Sequence, residues 1–281
     1  MIEHHRILDI ICHLTLIGFV VICLLPVWVA LVGSTHDLSS ILAAPMPMLP
    51  GSFAIENYTR ALNEGPQTAS ADLRAWRLLL NSALMATIIC VGKITLSLFA
   101  AFAIVFFRFP FRKTAFWLIF LTLMLPVEIR IIPTYEVVAN LNLVGTYTGL
   151  TLPLMASATA VFLFRQFFMT IPANLIDAAR MDGASPMAFF FWILLPLSRT
   201  NIAALAIIMF LFGWNQYLWP LLVADDLDTI VLSLKRMMDV GDAEADWPVI
   251  MATSILSLLP PVLILIFLQR WFVRGLIDID K

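Results

Sequence analysis

Charge is scarce in this sequence. Only 13% of its 281 residues are Asp, Glu, Lys or Arg, against 61% hydrophobic residues and a mean hydropathy of +0.95. A soluble domain carries about 25% charged residues, so this composition excludes an ordinary globular domain and points to an integral membrane protein. Cysteine is nearly absent too. Cys12, Cys23 and Cys90 lie in apolar runs, and Cys12 and Cys23 would share one helix at a separation no disulfide can bridge, so all three read as small packing residues. The histidines give no metal-ligating spacing: His4 and His5 are adjacent near the terminus, His13 opens the first apolar run and His36 stands alone. No phosphate-cradling G-x-x-x-x-G-K-[ST] occurs, because Gly92-Lys93 lacks both the upstream glycine and the following hydroxyl. No G-x-S-x-G nucleophile elbow occurs either. Neither an ATPase site, a metal centre nor a serine hydrolase is expected in this chain.

What the sequence does have is long apolar runs. A bilayer core of about 30 Å takes roughly 20 apolar helical residues to cross. Six stretches meet or approach that length: residues 10–33, 78–107, 114–132, 147–168, 197–223 and 249–272. Glu128 and Arg130 invade the end of the third, so a short or tilted helix followed by an irregular segment is expected there. The first run is too long for a signal-peptide apolar region and no Ala-x-Ala site follows it, which predicts a retained anchor. The fold class that follows is an all-α membrane protein of six transmembrane helices forming a single transmembrane domain over 1–281.

Orientation follows from the cations. With the amino terminus inside, ten Lys and Arg residues fall on the cytoplasmic side and six outside, with Lys93 left within the membrane, so both termini are expected in the cytoplasm. The tight basic turn RFPFRK (108–113) then lies inside, and the longer acidic loop 224–247 outside. The external side carries thirteen acids against its six cations. Such a face repels a dianion rather than steering it inward.

One cytoplasmic stretch interrupts the apolar pattern, DAARMDGASPMAFFFWILLP, Asp177 to Pro196. Pro172 suits the first turn of a helix and Gly183 the left-handed residue that ends one, which predicts a short helix over about 172–182. Leu175, Ala178 and Ala179 fall at i, i+3 and i+4, giving a small apolar face flanked by Asp177, Arg180 and Asp182 and open to docking. Ser185 is a good N-cap and Pro186 a good first residue for a second helix, whose Phe189, Phe190, Phe191 and Trp192 are expected at the membrane boundary. On the residues alone an ordinary cytoplasmic loop explains this equally well.

The same stretch resembles the signature loop of ABC importer permeases, in which Glu-Ala-Ala is followed by three residues, Gly, an aromatic and Leu-Pro. Here the pattern is carried by Asp177, Ala178, Ala179, Gly183, Phe190, Leu195 and Pro196, with Asp177 standing where the family usually has Glu. The stretches PGSFAIENYTRAL (50–62) and 247–276 are similar to the external segment and the last helix of the carbohydrate-uptake branch. Residues 122–143, 151–170 and 213–222 resemble the members of that branch that take up sn-glycerol-3-phosphate. The resemblance implies the type I ABC importer permease fold in the bacterial inner membrane. It also implies that residues 172–196 form a coupling loop whose Asp177, Ala178, Ala179, Asp182, Gly183 and Ala184 dock on an ATPase subunit. The implied partners are a second, homologous permease, two copies of an ABC ATPase, a periplasmic substrate-binding protein and the lipid bilayer, with no nucleic acid. ATP and Mg would be held by the ATPase, and no cofactor by this chain. Delivery from a docked binding protein would shield an anion from the acidic external face.

The polar residues inside the apolar runs are candidates for the translocation path. Lys93 sits roughly 15–20 Å from either end of its run at 1.5 Å per residue, too deep for easy snorkelling. A charge there is costly unless it faces protein or water. It is either a cationic wall of a path or a structural partner of a carboxylate or of helix carbonyls, and the sequence leaves both open. Arg130 could line the path or pair with Glu128 or Glu136. Asn215 and Gln216, in GWNQYLWP, could line the path, while the tryptophans beside them read as an interfacial belt. Two other classes stay open on residues alone: an ion-coupled carrier, for which no internal symmetry is visible, and an intramembrane enzyme, for which no convincing catalytic group is present.

Overall fold

A computed structural model describes residues 6–66, 73–122, 125, 127–239 and 245–277, with side chains left out at 6–9, 127–128 and 270–277. The described residues are helical, with no strand among them. In chain order the helices are α1 (Arg6–Gly33), α2 (Leu38–Leu42), α3 (Ala54–Asn63), α4 (Ala75–Phe106), α5 (Arg112–Leu121), α6 (Val127–Asn140), α7 (Tyr147–Thr151), α8 (Ala158–Met169), α9 (Ala173–Met181), α10 (Pro186–Phe189), α11 (Leu195–Leu197), α12 (Arg199–Trp214), α13 (Leu218–Val223), α14 (Ile230–Met238) and α15 (Trp247–Ile277). A 3₁₀ turn, Leu152–Leu154, follows α7, and a π turn, Phe190–Leu194, joins α10 to α11.

Three helices are long and apolar enough to cross a bilayer alone: α1 over Ile10–Gly33, α4, and α15 over Trp247–Gln269. The other apolar runs are broken. The third run is a helix only to Leu121, and the segment expected to be irregular is the helix α6, which carries Arg130. The sequence between them, Leu125-Pro126, disfavours an unbroken helix because proline offers no N–H and pushes its predecessor out of the α region. The fourth run bends by 47° between the 3₁₀ turn and α8, where Ser157 caps the new helix by accepting from the Ala160 N–H at 3.3 Å. The fifth is interrupted at 215–217, between α12 and α13.

The chain divides into two compact units, residues 1–79 with 233–259 and residues 80–232 with 260–281. In the first, the segment between α1 and α4 is ordered around α3. Asn57 Nδ2 donates to the carbonyls of Ser34 (3.0 Å) and His36 (2.8 Å), Arg60 pairs with Asp246 just before α15, and Ala61 packs on Val249 and Ala252. Here α1 turns most of its side chains outward: Phe19 and Ile22 are 67% and 69% exposed.

In the second unit α4 is the axis. Met85 and Ile89 pack with Val138, Leu150, Trp219, Val223 and Leu232. Gly213 of α12 lies so close to α4 that a Cβ there would stand 2.8 Å from Ala86 Cα, so only glycine fits the crossing. Buried polar groups are joined across the same region. Tyr147 donates to Asn81 Oδ1 at 2.7 Å, Asn81 Nδ2 donates to the Asp228 carbonyl at 3.0 Å, and the Ile230 N–H donates to Ser82 Oγ at 2.7 Å. Because a buried group that loses its partner costs about 1–3 kcal/mol, Asn81→Ala is expected to lower the thermal midpoint of the detergent-solubilised protein by several degrees, as followed by circular dichroism; an unchanged midpoint would show that this relay contributes little.

Candidate translocation cavity and coupling loop

The four path candidates, Lys93, Arg130, Asn215 and Gln216, line one cavity of about 400 Å³ within the second unit. Each arrives from a different local cause. Lys93 projects from the unbroken α4. Arg130 comes from α6, where Thr134 Oγ1 donates back to its carbonyl at 2.7 Å. Asn215 and Gln216 occupy the break between α12 and α13. The break in the fourth run reaches the same place, through Pro153, Leu154 and Ala156. Irregular backbone at membrane depth is tolerated where it is enclosed by protein or lines a cavity, and here both interruptions meet that condition.

Lys93 is 6% exposed, with its ammonium 3.9 Å from the centroid of the Phe212 ring. The ring face gives the cation a partner worth about 2 kcal/mol when desolvated. No carboxylate lines the cavity, and among the described residues no acid pairs with Lys93 or Arg130. The sequence explains this: no Asp or Glu occurs between Asp72 and Glu128, between Glu136 and Asp177, or between Asp182 and Asp225. The reading of Lys93 as half of an ion pair therefore has no support within the described chain, and the structural pairing of Arg130 with Glu136 is not formed. Two like charges on one cavity repel, and an anion between them relieves both.

The neutral residues divide. Gln216 Nε2 donates to the Phe212 carbonyl at 3.0 Å and so closes the end of α12. Asn215 is exposed, and its amide has no partner among the described residues. The tryptophans differ from the belt expected of them. Trp214 and Trp219 are each 3% exposed, Trp214 stacks on Phe210, and the Trp219 indole N–H donates to the carbonyls of Gly149 (3.3 Å) and Leu150 (3.1 Å). The Trp219 N–H and the surface of both rings are used inside the protein, so these tryptophans do not serve as anchors at the headgroups. Sequence reasoning passed over Phe212 and Thr134 in the lining; the signal for Thr134 was its place one turn after Arg130.

The candidate coupling loop is built as its residues indicate, with a start one residue later: Pro172 takes the extended N-cap position and α9 begins at Ala173. Gly183 has φ +73°, and the Ala184 N–H reaches back to the Ala179 carbonyl at 2.9 Å, a Schellman-type ending. Ser185 caps α10 by accepting from the Ala188 N–H at 3.2 Å. The apolar face is oriented differently from expectation. Ala179 is buried and, with Phe102, Phe106 and Phe189, lines a cavity of about 230 Å³, while Leu175 and Ala178 are half-buried. Asp177, Met181, Asp182 and Gly183 form the exposed side, and Asp177 pairs with Arg180 at 3.5 Å.

The loop is fixed to α4 by rings. Phe190 lies 4.8 Å from Phe99 and 4.9 Å from Phe102, and Phe106 lies 5.4 Å from Phe189 and 5.9 Å from Phe168. Of the four aromatics expected at the membrane boundary, Phe189 and Phe190 are thus core, and only Phe191 and Trp192, 51% and 82% exposed, face outward. The wide π turn at 190–194 is what brings two consecutive phenylalanines to one side. Among the described residues no group of three His, Cys, Asp or Glu side chains is placed to hold a metal.

Comparison with known proteins agrees with this architecture. The family model described as "Binding-protein-dependent transport system inner membrane component" matches residues 93–278. Two relatives, from Agrobacterium fabrum (52% identical) and Escherichia coli O157:H7 (54% identical), are each covered over their full length and all of this chain, and each is named sn-glycerol-3-phosphate transport system permease protein UgpE. The fold is shared, at a TM-score of 0.83 and 20% identity over 97% of this chain and 99% of the other, with a solved bacterial ABC transporter involved in the import of the acidic polysaccharide alginate. The chain belongs to the binding-protein-dependent inner membrane component family: it is a multi-pass protein of the bacterial inner membrane and the permease subunit of an ABC importer.

Proposed function

We propose that this chain forms half of the translocation pathway for sn-glycerol-3-phosphate, and for glycerophosphodiesters that share its phosphate. The observation that carries the reading is the convergence of Lys93, Arg130 and the open amide of Asn215 on one cavity with no carboxylate in its lining. A phosphate entering an apolar region needs cations or donors along its route, and these supply them. The full-length relatives named for sn-glycerol-3-phosphate transport support the same substrate.

In this reading six spans cross the membrane with both termini in the cytoplasm: α1, α4, α5 with α6, α7 with α8, α12 with α13, and α15. A second permease completes the pathway, two ATPase copies hold ATP and Mg, and a periplasmic binding protein delivers the substrate. Asp177 to Ala184 form the handle against the ATPase. The exposed Met181, Asp182 and Gly183 make the contact, while the buried Ala179 and the ring cluster pass its movement to α4, the helix that bears Lys93.

With the assembled importer in proteoliposomes, Lys93→Met removes the charge and keeps the length. Loss of a charged hydrogen bond of about 1.5–3 kcal/mol is expected to lower sn-glycerol-3-phosphate uptake roughly 10- to 100-fold, with assembly and basal ATPase activity retained. Unchanged uptake sinks the path assignment, and failed assembly makes the lysine structural.

A Cβ on Gly183 meets nothing within 4 Å in this chain, so Gly183→Asp pays only the left-handed backbone cost of about 1–2 kcal/mol. The variant is expected to reach the membrane at normal levels, by quantitative immunoblot, and to lose more than nine-tenths of uptake because a charge now stands at the ATPase contact. Near-normal uptake refutes the handle.

In a background with Cys12, Cys23 and Cys90 replaced by alanine, a cysteine introduced at Ala184 is expected to react with an impermeant maleimide only from the cytoplasm, and one at the exposed Asp226 only from outside. The reverse pattern overturns the orientation.

A further inference from the structure

A second cavity, of about 390 Å³, lies where α4 ends and α5 begins, apart from the path. Three cations line it: Arg112 and Lys113 from the first turn of α5, and Arg165 from α8. Arg112 Nη1 donates to the Phe107 carbonyl at 3.3 Å, and the Arg165 guanidinium lies 4.1 Å from the centroid of Phe116, so two of the three are held in place by neutral groups. No carboxylate lines the cavity, and the acid-free stretches 73–127 and 137–176 contain every residue that does. Three positive charges are gathered here with nothing of opposite sign. Arg112 and Lys113 also stand at the start of α5, which has no side-chain cap and where a helix dipole disfavours cations. The remaining walls are apolar. From Phe116 and Trp117 the surface continues along α5 through Trp117, Leu118 and Leu121, which are 58%, 61% and 52% exposed in a chain that lives in a bilayer.

We propose that this cavity binds the phosphate of an anionic phospholipid, with Arg112, Lys113 and Arg165 on the headgroup and an acyl chain along the outer face of α5. Cations at the end of a membrane span beside an apolar wall have the polarity of a lipid itself, charged at the level of the headgroups and apolar below. A soluble phosphate would use the cations and leave the apolar wall unused. The assignment rests on the membrane location and is independent of the proposed substrate.

The test is native mass spectrometry of the purified, delipidated importer titrated with phosphatidylglycerol or phosphatidylethanolamine, alone and with millimolar inorganic phosphate or sn-glycerol-3-phosphate. The expected result is one tightly held phosphatidylglycerol per copy of this chain, preferred about tenfold over phosphatidylethanolamine, a preference of about 1.4 kcal/mol, and not displaced by either soluble phosphate. Lys113→Gln with Arg165→Gln is expected to abolish the preference, whereas Arg165→Lys, and Arg199→Gln on an exposed site elsewhere, keep it. Retention of the preference in the double variant overturns the site, and displacement by inorganic phosphate or sn-glycerol-3-phosphate overturns its assignment to lipid. Should the double variant fail to assemble, the unaltered importer decides: a thermal midpoint that phosphatidylglycerol raises no more than phosphatidylethanolamine does also overturns it.

Discussion

A buried ammonium group that no acid among the described residues pairs with governs how the second unit is arranged. Lys93 lies on a helix whose neighbours in sequence supply no acid for tens of residues in either direction, so no carboxylate close in sequence meets its charge. The Phe212 ring meets part of it. The rest falls to the cavity, where Asn215 and Gln216 enter the lining from the place where α12 stops. A continuous helix satisfies its own carbonyls and N–H groups and offers little to a guest, whereas an interrupted one leaves ends that turn toward the space beside them. The breaks at 155–157 and 215–217 are therefore part of the solution to the same problem that Lys93 poses.

The handle and the cavity are linked through α4, and the linkage is aromatic. Rings at 99, 102 and 106 recur along one side of that helix, and those at 189 and 190 seat against them. In the proposed coupling, a displacement of the loop would reach α4 through these rings, and with it the position of Lys93.

The sequence made some of this legible and concealed the rest, for physical reasons. The coupling loop could be read residue by residue because Pro172, Gly183, Ser185 and Pro186 each have a narrow range of backbone roles, and those roles concern neighbours only a few residues away. The membrane class was plain from the scarcity of charge. The broken spans were not legible, because a hydropathy window averages across two or three polar residues such as Asn215 and Gln216, and because Ala156-Ser157 is apolar enough to pass as helix interior. The company of Lys93 depends on segments more than a hundred residues away, so no local pattern announced Phe212. Trp214 and Trp219 were misplaced for the same reason: Trp219 sits in the core because the Leu150 carbonyl is within reach of its N–H, and Trp214 because its ring stacks on Phe210. The inward turn of Ala179 depended on where the phenylalanines of α4 end, which the periodicity of α9 does not contain.

The π turn at 190–194 holds one residue more than an α turn in its place would. Each residue of an α-helix advances the direction of its side chain by about 100°, so that surplus residue sets the angular phase between the handle at one end of the segment and α12 at the other. Composition within the stretch is free to drift wherever it faces outward, as at Trp192, but its length is not. A single insertion or deletion between Ser185 and Ser198 would turn one end against the other by more than a quarter of a revolution, taking Phe190 out of its seat on α4 or Gly213 out of its crossing with Ala86. The segment works as a meshed gear does, tolerant in material and intolerant in the number of its teeth.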